Sequence, residues 1–290
     1  MNQSAEAAGA ESSATIDGGS GPERPGNLDN NQADGDERND AQSTGASTGS
    51  TLPPAPLRAP WLALMLLAPA PTIGVVANLM FPGNPWAMAA WAVSKAWLFL
   101  FPAVWTVVVD RQRLKLPRMT SDGLAAGLVT GLVILAGIVG GYFAVASAID
   151  TEAARAGAAE LKLDNQLAFL LLFVYIITVN SLLEEYVWRW FVVRQSEAAL
   201  SPKWSGRSLS VGAACLSASL FTVHHIFAIH KWVSGDHAWL LITIASLGVF
   251  VGGATWSYLF ARYRSIWPGY VSHVGADIAI MIIGWKLLMT

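Results

Sequence analysis

The sequence predicts an all-α protein, a polytopic bundle of about seven transmembrane helices behind a disordered N-terminal tail. Two observations carry this. Of its 290 residues 53% are hydrophobic and only 13% charged, against roughly 45–50% apolar and about 25% charged in soluble domains. After Pro60 the apolar runs repeatedly approach the ~20 residues that a bilayer core demands.

The chain divides at residue 56. Residues 1–56 are rich in Ala, Gly, Ser, Thr, Asn and Asp, with nine Asp or Glu between Glu6 and Asp40 against only Arg24 and Arg38. Such a segment cannot bury enough apolar surface to offset its ordering entropy, so disorder is expected. Pro53-Pro54-Ala55-Pro56 then reads as a stiff linker into the membrane. No positively charged start and short apolar stretch precede the first run, so a cleavable signal peptide is not expected.

Residues 57–290 form the membrane domain. Its spans are predicted near 61–81, 85–109, 123–148, 166–194, 210–230, 238–261 and 267–289. Trp61, Trp86, Trp232, Trp239 and Trp267 fall at span ends, where the amphipathic indole suits the headgroup region. Gly248, Gly252 and Gly253 in the sixth span are expected to permit close helix packing.

Orientation follows from the basic residues. Arg111, Arg113, Lys115 and Arg118 follow the second span, Lys203 and Arg207 the fourth, and Arg262 and Arg264 the sixth. The alternate loops are poor in base or acidic, as at Asp150, Glu152, Glu160 and Asp164. The positive-inside rule therefore puts the N-terminus in the cytoplasm and the C-terminus outside. This makes an integral, multi-pass protein of the cell membrane if the source is prokaryotic.

Several partner classes drop out. A net charge of -2 and a pI near 6.2 leave no basic surplus for nucleic acid. Cys215 is the only cysteine, so one chain can build neither a disulfide framework nor a thiolate metal site.

Ionisable side chains inside a span cost about 2.5–3.5 kcal/mol each on insertion scales, so they mark a partner or a wet cavity. The fourth span holds Ser181-Leu-Leu-Glu184-Glu185-Tyr-Val-Trp-Arg189, the fifth Phe221-Thr-Val-His224-His225, and the seventh His273-Val-Gly-Ala-Asp277. Glu185 and Arg189, four apart with the acid N-terminal, suit an ion pair. Glu184 points about 100° away around the helix and lacks that partner. It is therefore the candidate general base. Phe221 with His225, and His273 with Asp277, likewise share faces.

A carboxylate, two histidines and a further acid in an apolar cavity suit the activation of water for attack on an amide. The histidines can donate to the developing oxyanion, or, with a carboxylate, hold a zinc ion. Both remain open, and Asp277 beside His273 would orient that ring if it ligated a metal. His224 points away from its neighbour on an α-helix and is expected to be a bystander. His230, Lys231 and His237 are assigned to the outer loop. Lys95, inside the second span, is an orphan that can snorkel or pair with a carboxylate.

The ordered motifs Glu184-Glu185-x-x-x-Arg189, Phe221-x-x-x-His225 and His273-x-x-x-Asp277, each in a membrane helix, resemble the CAAX protease and bacteriocin-processing family of intramembrane peptidases. Ser265-Ile-Trp-Pro-Gly-Tyr-Val-Ser-His273 also looks like that family's approach to its last motif. The resemblance covers roughly residues 165–285. It implies a peptidase acting on a membrane-associated or lipid-modified protein or peptide, with Glu184 as base and His225, His273 and Asp277 completing the site. Glu185, Arg189 and Phe221 would be its scaffold. Members are described as metalloproteases and as glutamate-type enzymes, so zinc, held by Glu184, His225 and His273, is conditional. Many members carry Asn where this chain has Asp277. An amide can donate to an oxyanion and an ionised acid cannot, so Asp277 either is protonated, orients His273 or helps hold a metal.

Two rival functions remain. A proton-coupled transporter also uses buried acids and histidines, but predicts broken helices in corresponding halves, and no such symmetry is visible. A catalytically lapsed family member acting as a binding or immunity partner would keep the fold. Every motif position is filled, which favours the peptidase, and Asp277 is the one departure.

Overall fold

The computed structural model describes residues 56–115, 118–160 and 163–290. The expected tail, and its linker as far as Ala55, lie outside them. Among the described residues every regular element is a helix. We label them α1 (Pro60–Met80), α2 (Pro85–Val109), α3 (Ser121–Ala148), α4 (Thr151–Glu160), α5 (Gln166–Leu200), α6 (Gly206–Trp232), α7 (Ala238–Tyr263) and α8 (Trp267–Met289). All but α4 are long and apolar enough to cross a membrane, so the protein is an integral, multi-pass membrane protein.

Local signals set the helix ends. Asn84 Oδ1 accepts from Trp86 N at 2.8 Å with Pro85 in the first turn, and Thr120 Oγ1 accepts from Gly123 N at 3.3 Å. Such caps satisfy donors that a helix start leaves unpaired. Pro69 interrupts α1, and Pro102 sits inside α2 just ahead of a π-helical turn, Trp105–Val109. A proline cannot donate to the helical ladder, which accounts for both irregularities.

Two departures from expectation stand out. The acidic connection after α3 contains a helix, α4. Its Ala-rich sequence favours helix, Asp150 Oδ1 caps it through Ala153 N at 3.0 Å, and Ala154 and Ala158 are buried. Arg155 Nε then donates to the Leu287 carbonyl at 2.8 Å, capping the end of α8. The fourth span also runs past residue 194 to Leu200, since Arg194-Gln195-Ser196-Glu197-Ala198-Ala199-Leu200 continues it until Pro202.

The helices associate as pairs: α1 with α2, α3 with α8, and α6 with α7 pack most extensively. Glycine makes the α3–α8 pair close. A Cβ on Gly127 would overlap the Pro268 carbonyl oxygen, and one on Gly275 would overlap the Gly131 carbonyl. Small residues let membrane helices approach to backbone contact in this way. Gly253 similarly faces Ala218 and Phe221 across the α6–α7 contact, whereas Gly248 faces open space and plays no such part.

Helix α5 packs against α1, α2, α6, α7 and α8. Its first half is largely exposed, as at Leu167, Leu171 and Val174, while Val187, Trp188, Arg189, Phe191, Val192 and Val193 are fully enclosed. The core of the bundle therefore surrounds the second half of α5, and Glu184-Glu185 stands at the transition.

Candidate active site

Two stretches of α5, Ile176–Asn180 and Glu185–Val193, are π-helical. The i→i+5 ladder adds about one residue per turn, so neighbouring side chains fan out less than in an α-helix. This lets consecutive acids address one partner. Glu185 Oε1 lies 3.1 Å from His273 Nδ1, and Glu184 Oε2 lies 3.6 Å from His273 Nε2. Neither acid is a solvated surface charge, as Glu184 is 8% exposed and Glu185 is 0%.

Glu185 is tied on both sides. Besides His273, it faces Arg189 Nε at 3.4 Å. The Arg189 guanidinium, itself fully buried, lies 4.8 Å from the Phe221 ring centroid and 5.1 Å from that of Trp256. Ring faces attract a cation at such distances. Gly269 makes room for this arrangement, because a Cβ there would collide with Glu185 Oε2.

A carboxylate only accepts, so Glu185 fixes the His273 Nδ1 as a donor and turns Nε2 toward Glu184 and Asp277. The ring plane is fixed separately. Trp256 stacks on His273 at 3.8 Å with an interplanar angle of 15°, and its Nε1 donates to Ser272 Oγ at 3.1 Å. Thr130 Oγ1 of α3, whose own proton goes to the Ala126 carbonyl at 2.8 Å, lies 3.1 Å from the same Ser272 oxygen and accepts its proton. His273 is thus oriented chiefly by Glu185 and Trp256, while Asp277 Oδ2 stands 3.8 Å from Nε2.

Asp277 has its own partner. Ser181 Oγ approaches its Oδ2 at 2.6 Å and the Ile176 carbonyl at 2.7 Å. One hydroxyl proton serves only one acceptor, so both contacts are satisfied together only when Asp277 carries a proton and donates to Ser181 Oγ. Glu184 is held by Asn180 Nδ2, which donates to Oε1 at 3.0 Å, leaving Oε2 toward the histidines.

His225 completes the group from α6. Its Nδ1 lies 2.9 Å from the Phe221 carbonyl, which requires a proton on Nδ1 and leaves Nε2 with a lone pair in the neutral ring. Phe221 packs beneath it, with ring centroids 4.3 Å apart. His224 stacks on Trp188 at 5.5 Å and 10°, and its buried Nδ1 has no hydrogen-bond partner.

The structure thus brings Glu184, Glu185, Arg189, Phe221, His225, His273 and Asp277 together. Their linear spacing did not reveal Asn180, Ser181, Trp256 or Ser272. Asn180 and Ser181 carry a signal in hindsight, being polar residues in an apolar run three to four positions before the acids.

For a metal, the grouping differs from the expected trio of Glu184, His225 and His273. Among the described residues, Glu184, His224 and His225 each offer a ligand atom with all three atoms within 4.8 Å of one another. Two imidazoles and a carboxylate form a zinc-type donor set, and the unpaired His224 Nδ1 fits it. His273 is engaged by Glu185 through Nδ1 and is not in this group.

Neither a curated protein nor a solved structure matches the chain. Residues 166–279 match the model of the family described as type II CAAX prenyl endopeptidase Rce1-like. That segment runs from the start of α5 into α8 and carries all three motifs, and over it the chain is similar to the Rce1-like type II CAAX prenyl endopeptidase family.

Proposed function

We propose that the protein is an intramembrane endopeptidase that hydrolyses a peptide bond in a lipid-modified, membrane-associated protein or peptide, using a water activated by Glu184. The observation that carries this reading is the position of Glu184 on α5, whose Oε2 lies 3.6 Å from His273 Nε2 on α8 and whose carboxylate lies within 4.8 Å of a ring nitrogen of His225 on α6.

Each group has a part in the reaction. A water between Glu184 and His225 gives one hydrogen bond to each, which aims a lone pair at the scissile carbonyl. Glu184 takes the proton as oxygen attacks. His273, protonated on Nε2 and held on Nδ1 by Glu185, donates to the oxyanion as it forms. Glu184 then returns its proton to the leaving amine. Asp277, when protonated, uses its donor on Ser181, so its part is to place that hydroxyl and the flank of His273 rather than to bind the oxyanion itself.

The set of Glu184, His224 and His225 supports a metal-bearing version of the site. A zinc ion held there would supply a water deprotonated near neutral pH. The charge pattern of the loops supports placing the N-terminus on the cytoplasmic side.

The test uses a prenylated peptide ending in a CAAX sequence, incubated with purified protein in mild detergent. Glu184→Gln and His225→Ala are expected to lower cleavage by about 10²–10⁴-fold each, with zinc content measured on the same preparations. Cleavage by both variants at the parental rate would sink the proposal.

A further inference from the structure

Lys95 lies at the eleventh position of α2, half-buried, with no hydrogen bond and no carboxylate within 4 Å among the described residues. Its ammonium stands 6.0 Å from the Trp91 ring and 5.9 Å from the Phe99 ring, at the outer limit of useful cation–π attraction. A cation inside a span without a partner marks a ligand path or a functional site.

The helix geometry puts Lys95 beside the reacting groups. Helices α2 and α5 run in the same direction, since Gln195 Nε2 bonds Asp110 and Arg194 bonds Gln112 near their far ends. They touch at Phe101 and Phe191, with ring centroids 5.9 Å apart. Stepping back from that contact is six residues to Lys95 on one helix, about 9 Å, and six residues to Glu185 on the other, somewhat less along its π-helical stretch. Lys95 therefore stands at about the depth of the two acids. Glu184 does not neutralise it, being held by Asn180 and turned toward His273.

We propose that Lys95 anchors the C-terminal carboxylate of the peptide substrate beside Glu184 and His225. This rests on the peptidase reading above and names the substrate end that the site recognises. A CAAX sequence ends its chain, so such a substrate brings a free carboxylate toward the scissile bond, and an ammonium is its natural partner. A lipid phosphate does not reach this position, because Lys95 lies about 15 Å along the helix from Pro85 and about 21 Å from Val109.

The experiment measures binding of a fluorescent farnesylated CAAX peptide, as the free acid and as the C-terminal amide. The hosts are Glu184→Gln, which prevents turnover, and the same protein also carrying Lys95→Gln or Lys95→Arg. The acid is expected to bind on the order of 10–100-fold more tightly than the amide, as charge-assisted hydrogen bonds do. Lys95→Gln abolishes that preference and Lys95→Arg keeps most of it. Since the acid-to-amide ratio is read within each protein, a general loss of fold does not imitate the result. A ratio that survives Lys95→Gln, or no binding of either peptide, overturns the anchor. Turnover by the chain with Glu184 intact separates the two ideas. An intact preference without cleavage removes the peptidase and leaves the anchor, whereas cleavage of acid and amide alike does the reverse.

Discussion

At the residue scale, Glu185 orders the site more than its pairing with Arg189 alone suggests. It holds Arg189 and His273 Nδ1 from one oxygen, so removing it strands a buried cation and frees the His273 ring. Glu185→Ala is expected to cost about 3–5 kcal/mol, as loss of one partner from a buried pair does, read as a lower Tm in detergent. Gly269→Ala probes the same carboxylate more gently, because the added methyl displaces Glu185 Oε2. Cleavage should fall about 10–100-fold, the range for losing an orienting partner, with a smaller change in Tm. Asp277→Asn can still bond Ser181 Oγ and should retain cleavage, whereas Asp277→Ala should lose it, measured on one peptide. Helical spacing identified Glu184 and Glu185 as distinct because neighbours on a helix diverge. It could not show that both face His273, which depends on a π-helical ladder and on a contact 88 residues away in the chain.

At the scale of elements, six of the seven spans begin and end within a few residues of where composition, tryptophans and prolines place them. The exception, α5, extends to Leu200 because polar helix formers follow its apolar run and lack the hydropathy that marks a span. Helix α4 escaped notice for a related reason, since an acidic, Ala-rich decamer reads as a loop until α8 is present to receive Arg155. The α3–α8 pair can be tested directly. Gly127→Val adds bulk against the Pro268 backbone, and overpacking of this kind costs about 1–3 kcal/mol. The expected result is a lower Tm with cleavage at permissive temperature reduced through displacement of His273, while Gly248→Val, facing open space, leaves both unchanged.

At the scale of the whole molecule, the seven spans among the described residues put Pro56 and Thr290 on opposite sides of the membrane, and the proposed orientation puts Thr290 outside. A reporter enzyme active only outside the cytoplasm, fused after Thr290, should therefore be active, and the same fusion in the connection after α2 should be silent. The three tight pairs also bear on how the proposed lipid-anchored peptide would reach Glu184. His225 belongs to the α6–α7 pair and His273 to the α3–α8 pair, while Lys95 belongs to the α1–α2 pair and Glu184 to α5, the helix that all three pairs touch. If each pair moved as a rigid leaf, a cleft wide enough for a peptide would open along the joints between leaves and not within one. Staples inside a leaf would then leave turnover intact, whereas staples across two leaves would hold the machinery assembled but starved of substrate.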